Sequence, residues 1–206
     1  MFCSGAPKEA TILEWCRRMV TATDGAQILE FAITLPLLAV LVVGIFDFSQ
    51  AFNLKQKLTN AAREGARFAS TLPTNDLSNA TSCGAPPSPA SVCAVRDLVA
   101  AYLQRARIND CGLSTQGATA SVPWTYVASG NGCPAGGNLT LTVQRDYAFP
   151  ATVPGASGQI YVVSSRVTLS YPYKWQFGNV IRLLVPGASY AAMTQISTNA
   201  VVPNTD

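Results

Sequence analysis

The sequence contains no histidine. That absence removes imidazole acid–base catalysis, the Ser-His-Asp and Cys-His nucleophiles, and the HExxH type of zinc site. Charge is scarce as well. Charged residues occupy 12% of 206 positions, about half the share usual in a soluble globular chain. With a mean hydropathy of +0.22, either little of the surface meets water or part of the chain lies in lipid. The net charge of +3 is small, and no basic run is interleaved with aromatics, so a nucleic-acid partner is not expected. None of the six cysteines forms a CxxC pair, which argues against a zinc ribbon or a thioredoxin-like centre. Asp76, Asp97, Asp110 and Asp146 are scattered without calcium-loop spacing. A Ser-Lys dyad is the remaining nucleophile to consider, but Lys174 is the only lysine after Lys57 and no SxxK motif accompanies it. The expectation is therefore no catalytic residues, no metal and no cofactor.

What is present begins with an apolar run, Ala26 to Phe46, uncharged from Phe31 onward. At ~1.5 Å rise per residue, roughly 20 residues cross a hydrocarbon core about 30 Å thick. In lipid the backbone must satisfy its own hydrogen bonds, so the span is helical. Pro36 removes one rung of that helix, a loss that membrane helices tolerate. A cleaved signal peptide fits less well, because bulky Phe46, Phe48 and Phe52 stand where a small-residue cleavage site is required. Apolar periodicity continues through Phe48, Phe52, Leu58, Ala61, Ala62, Ala66 and Ala69, so one helix is expected from about Gly25 to about Ser70, stopped by Leu72-Pro73. Glu30 lies just inside the span. It either escapes the cost of burial by reaching the headgroups or meets a cation from another chain.

These residues resemble a known family. The block from Gly25 through Glu30, Phe31 and Pro36 to Leu38, then Gly44 to Phe48, then Leu58 to Arg67 with its AAREGAR tail, is similar to the N-terminal module of TadE-like proteins. These are pilin-related components of tight-adherence (Tad/Flp) pilus systems. Ser165 to Tyr173 is similar to a late strand of the same family. The resemblance implies a leader, residues 1–25, cut by a prepilin peptidase between Gly25 and Ala26, with Glu30 as the fifth mature residue. It implies that Glu30 pairs with the new ammonium of a neighbouring subunit. A buried pair of that kind adds little net stability but fixes register, because losing one partner is expensive. The sequence departs from the pilin pattern in having Phe31 rather than Tyr, and in a leader whose Lys8, Arg17 and Arg18 are offset by Glu9, Glu14 and Asp24.

Lys8, Arg17 and Arg18 before the span balance Lys55, Lys57 and Arg63 after it, so the positive-inside rule gives no orientation. The cysteines do. Cys83, Cys93, Cys111 and Cys133 follow the span in a region rich in Gly, Pro and Ser, as expected of two disulfides in an oxidising compartment. Cys3 and Cys16 precede the span and would stay reduced inside. Four cysteines allow three connectivities. Neighbour pairing, Cys83 with Cys93 and Cys111 with Cys133, is the preferred reading, with four free thiols as the alternative.

Beyond Pro73, residues 71–90 read as a linker and 91–206 as an exported head. Pro89 to Ile108 offers a second helix with Val92, Val95, Val99, Tyr102, Leu103 and Ala106 on its apolar stripe and Arg96, Asp97, Gln104 and Arg107 off it. Alternation at Leu139, Leu141 and Val143 and at Val167, Leu169 and Tyr171 marks strands, with a shorter run at Ile160 to Val163. Ser121 to Ala128 reads as an edge strand because of Pro123. Arg145-Asp146 reads as an exposed strand end, Gly178 to Val185 as a brief helix, and the tail from Thr194 as frayed. Tyr161, Tyr171, Tyr173, Trp175 and Phe177 are either core or a sticky patch.

The expected architecture is α+β, with residues 26–47 spanning the membrane, the helix running on to about 70, and a pilin-like head built of a second helix and a small antiparallel sheet. Ala61, Ala62, Gly65, Ala66 and Ala69 form a small-residue face that can receive another helix or dock on the chain's own head. The expected function is a non-enzymatic minor pilin-like subunit or assembly factor in the bacterial inner membrane, with a cytoplasmic N-terminus. Its implied partners are other pilin-like subunits of the TadE, TadF and Flp type, the Tad assembly machinery and the prepilin peptidase. The competing expectation is a membrane-anchored envelope scaffold that never enters a fibre.

Overall fold

The computed structural model describes residues 23–79, 83–119, 121–151, 158–176 and 193–205. The leader up to residue 22, with Cys3 and Cys16, the helix expected at 178–185, and Phe177 lie outside them. The chain divides after Phe46, and the second compact unit is Asp47–Asp206.

Helix α1, Thr23–Thr71, runs through Pro36 without a break. Its first part, to Phe46, has large apolar side chains all round, and eleven of them from Ile28 to Phe46 stand exposed. The Thr34 hydroxyl donates to the Glu30 carbonyl at 2.7 Å, so that polar group is satisfied within the helix, as lipid requires.

The second unit is an α+β fold. Its sheet is a four-stranded antiparallel meander in the order β1-β2-β3-β4, comprising β1 Trp124–Ala128, β2 Leu139–Ala151, β3 Ile160–Lys174 and β4 Met193–Pro203. Helix α2, Ala90–Arg105, and the second part of α1 supply the apolar cover. β1 follows Pro123 and lies at an edge, where a residue without an N–H costs no ladder bond. Leu139, Leu141, Val143, Val167, Leu169 and Tyr171 point one way and are buried, as the two-residue repeat of a strand requires. They share a core with Leu58, Val92, Val95, Val99 and Leu103.

The residues expected as a linker hold turns anchored to the head. Asp76 accepts from the Ser91 amide at 2.7 Å and the Ser91 hydroxyl at 2.9 Å. It thus caps α2, whose own N-cap, Pro89, makes no side-chain bond, and it sets a negative charge where the helix dipole favours one. The Cys83–Cys93 disulfide ties the same stretch to α2, and Cys111–Cys133 ties the loop after α2 to the turn before β2. With the paired cysteines 10 and 22 positions apart, loop closure contributes about 3 kcal/mol for each bridge.

Three expectations change. The tail from Thr194 is not frayed but forms β4, paired with β3 from Ser164↔Pro203 to Lys174↔Met193. Beyond it, Asn204 donates to the Arg145 carbonyl and Thr205 to the Ser70 carbonyl. Arg145 is not an exposed strand end. It is fully buried, in phase with Leu139, Leu141 and Val143, and it donates to the carbonyls of Leu72 and Pro73. α1 has no basic residue in its last turn, and the sheet sets a cation on the two carbonyls that follow its end, where the helix dipole favours one. Arg96 is not off the buried face either. It is 5% exposed, bonded to Asp97 and to the Gln116 carbonyl, and stacked 5.6 Å from the centre of the Tyr126 ring. A long apolar stem lets such a side chain sit in a core when its head is paired.

Candidate functional site

The sequence places its functional residues on α1, and the two parts of that helix present opposite surfaces. Gly25 and Glu30 are exposed, and among the described residues no cation lies within ion-pair distance of Glu30. Around them, Ile28, Leu29, Phe31 and Ile33 are each more than 60% exposed. The segment from Gln27 is long and apolar enough to cross a membrane, at a mean hydropathy of 2.5 with none of its most apolar stretch buried within the chain. Leaving that surface in water would cost on the order of 10–20 kcal/mol, as much as the whole stability of an ordinary domain. Among the described residues this is the one helix suited to a membrane anchor, and its exposed apolar surface suits a cover of lipid or partner helices.

The small-residue face behaves differently. Ala61, Ala62, Ala66 and Ala69 are fully buried, and a Cβ on Gly65 would come within 2.9 Å of Val99 Cγ2 and 3.6 Å of Val167 Cγ1. Of the two partners open to this face, the chain's own α2 and β3 occupy it. Thr59 bonds Thr198 of β4 at 3.0 Å on the same helix. Small side chains let α1 approach α2 and the sheet closely, where larger ones would force them apart.

A third group escapes sequence reasoning. Asp47, the first charge after the span, is 3% exposed and accepts a 2.7 Å hydrogen bond from the Tyr173 hydroxyl, which also bonds the Asp47 carbonyl at 3.2 Å. Burial, and then the Asp47 carboxylate beside it, push the Tyr173 hydroxyl well above its usual pKa. Trp175 meets Tyr173 edge-on at 5.0 Å and Phe48 at 5.3 Å. This clasp joins the foot of α1's second part to the end of β3. Only the clustering of aromatics late in the chain hinted at it, since pairing positions so far apart requires the sheet register. Of the aromatics expected to act together, Tyr171 is buried in the core, Tyr173 and Trp175 are half-buried in the clasp, and Tyr161 is exposed elsewhere.

Among the described residues, no group of three or more acids or cysteines could hold a metal ion. Searches of curated proteins and of solved structures find no match. The family model described as TadE-like protein matches residues 25–67, a stretch that starts at the glycine before the expected cut and ends within the buried small-residue face. Over that stretch, which contains most of α1, the chain is similar to TadE-like proteins.

Proposed function

We infer that the chain is a non-enzymatic, pilin-like minor subunit or assembly factor of a Tad-type pilus, acting in pilus biogenesis and surface adhesion. The observation that carries this reading is that the TadE-like match coincides with a helix whose large apolar side chains are left uncovered by the other described residues. Pilin-like partners offer the same kind of surface. In this reading a prepilin peptidase cuts between Gly25 and Ala26, and Glu30 pairs with the new ammonium of an adjoining subunit; the exposed setting of Glu30 supports that. The N-terminus lies in the cytoplasm and the head in the periplasm of a bacterial inner membrane, consistent with two disulfides in the head. Pilin-like subunits and the Tad assembly machinery are the partners.

A second reading has its own support. The small-residue face, the other surface open to neighbouring helices, is filled by the chain's own head, which favours an anchored envelope scaffold outside any fibre. Intact mass and N-terminal sequencing of the protein from its native membranes separate the two. An N-terminus at Ala26 is expected for the fibre-related role. An intact Met1 beside an active cognate peptidase would overturn it and leave the scaffold.

A further inference from the structure

The head carries an apolar groove of about 420 Å³ between α1 and β4, lined by Phe48, Phe52, Lys55, Trp175, Gln195 and Ile196. Phe48 and Phe52 are 67% and 64% exposed, unusual for aromatic rings beside a formed core. Trp175 keeps its ring against Phe48 and donates its indole N–H to Thr194 Oγ1 at 2.7 Å, so its apolar face is presented with the polar edge already satisfied.

The position of the groove along the helix is fixed by sequence. Counted from Phe46, where the uncharged run ends, the ~1.5 Å rise per residue puts Phe48 roughly 3 Å and Phe52 roughly 9 Å further on. A headgroup layer extends about 5–7 Å beyond the hydrocarbon on each side. Phe48 thus falls at the level where Trp and other amphipathic rings concentrate in membrane proteins, and Phe52 starts just beyond it with a side chain that leans back towards the helix N-terminus. Lys55 comes next, and its stem can reach back towards that layer.

Among the described residues, the exposed charges at this end of the head are positive. Lys55, Lys174 and Arg107 are exposed, and Lys57 donates to the Ala106 carbonyl, which brings the end of α2 to the same level. The acids nearby are engaged inside the fold: Asp47 accepts from Tyr173, and Asp110 accepts from Gln104 and the Gly112 amide. An aromatic groove with a lysine, Lys55, in its wall, adjoining a membrane span, matches the chemistry of an anionic phospholipid: a phosphate for the lysine and an acyl stem for the rings.

We propose that this groove seats an anionic phospholipid of the bilayer that α1 crosses, its phosphate at Lys55 and its glycerol end on Phe48, Phe52 and Trp175. The proposal rests on the membrane-anchor reading of α1. A lipid occupant has an advantage over a protein one, because the anchor keeps lipid next to the groove at all times, whereas a partner must be recruited.

The test uses the full-length chain in nanodiscs of phosphatidylcholine, with or without phosphatidylglycerol, and of the same lipids brominated near the glycerol end of their acyl chains. Trp175 emission is isolated by subtracting the Trp175→Phe variant. Brominated lipid is expected to quench Trp175, more strongly when phosphatidylglycerol is present, and aqueous acrylamide to quench it weakly. Lys55→Glu, at an exposed position in the groove wall, should lower the docked-to-undocked ratio about fivefold. Strong acrylamide quenching with no effect of bromine would leave the groove in water and overturn the proposal. Shielding from both quenchers would mean that a second copy or another protein covers the groove, and would overturn it equally. Alkaline carbonate extraction of native membranes tells the two failures apart. A chain that resists extraction but lacks bromine quenching defeats the lipid site alone, whereas an extracted chain defeats the anchor and the site together.

Discussion

The two parts of α1 belong to one uninterrupted helix yet follow opposite packing rules. Up to Phe46 the helix is broad, apolar on every side and uncovered by the chain. From Asp47 onward it is narrow on one side, with Ala61, Ala62, Gly65 and Ala66 pressed against α2 and the sheet. The contrast teaches that side-chain size, as much as hydrophobicity, decides which solvent a helix takes. Large apolar residues all round call for lipid or another helix. Small ones on one face call for close approach of a preformed partner.

The contrast can be broken most forcefully in the first part. Leu38→Asp combined with Val42→Asp should cost about 6 kcal/mol of insertion free energy. The protein should then move from the carbonate-resistant to the extractable fraction, while Asn53→Asp on the exposed side of the second part should leave insertion unchanged. Next in size is the small face. Gly65→Leu should destabilise the head by about 3 kcal/mol, read as a lowered unfolding midpoint, whereas Gly44→Leu in the span should leave that midpoint where it is. An equal loss from both would mean that the two parts do not differ in packing.

Arg145→Ala tests how the second part ends. Unpairing the carbonyls of Leu72 and Pro73 should cost about 2–3 kcal/mol, with partial rescue by Arg145→Lys, again without effect on insertion. The smallest effect is set by pH. Burial, as the largest cause, raises the pKa of Tyr126, Tyr171 and Tyr173 above the usual 10.0. The folded head therefore holds these protons more tightly than the unfolded chain. Their contribution to stability is intact below about pH 10 and is lost progressively as pH rises above it. Denaturant titrations of the head at rising alkaline pH should follow that slope, and Tyr173→Phe should make it shallower. A slope unchanged in that variant would remove Tyr173 from the account.

The span, the long helix and the alternating strands were legible because each is a local, periodic pattern of strongly apolar residues. What escaped depended on partners distant in sequence. β4 alternates Ile196, Thr198, Ala200 and Val202, all half-buried, which reads as a polar tail until β3 supplies the other edge. Arg145 continued the inward phase of Leu139, Leu141 and Val143, but a charged side chain outweighed phase in the reading. Its justification, the bare end of α1, lies 72 residues earlier in the chain. The sequence marks the small-residue face as a packing surface, but composition cannot say whose surface covers it, since Val99 and Val167 are no more distinctive than the side chains of a neighbouring subunit. The Asp47–Tyr173 clasp was invisible for a similar reason, its partners being 126 positions apart.

The route by which β4 returns to α1 also has a temporal side. Thr59 and its partner Thr198 are 139 residues apart, and Ser70 and Thr205 are 135 apart. A ribosome adding about 5–20 residues per second needs roughly 7–30 s to make that interval, whereas a helix forms in about a microsecond. The second part of α1 therefore has seconds in which to sample a helix before its last strand is synthesised. During that interval part of its surface is open to whatever lies beside it, and the order of synthesis gives neighbouring chains an opportunity that the finished head withdraws.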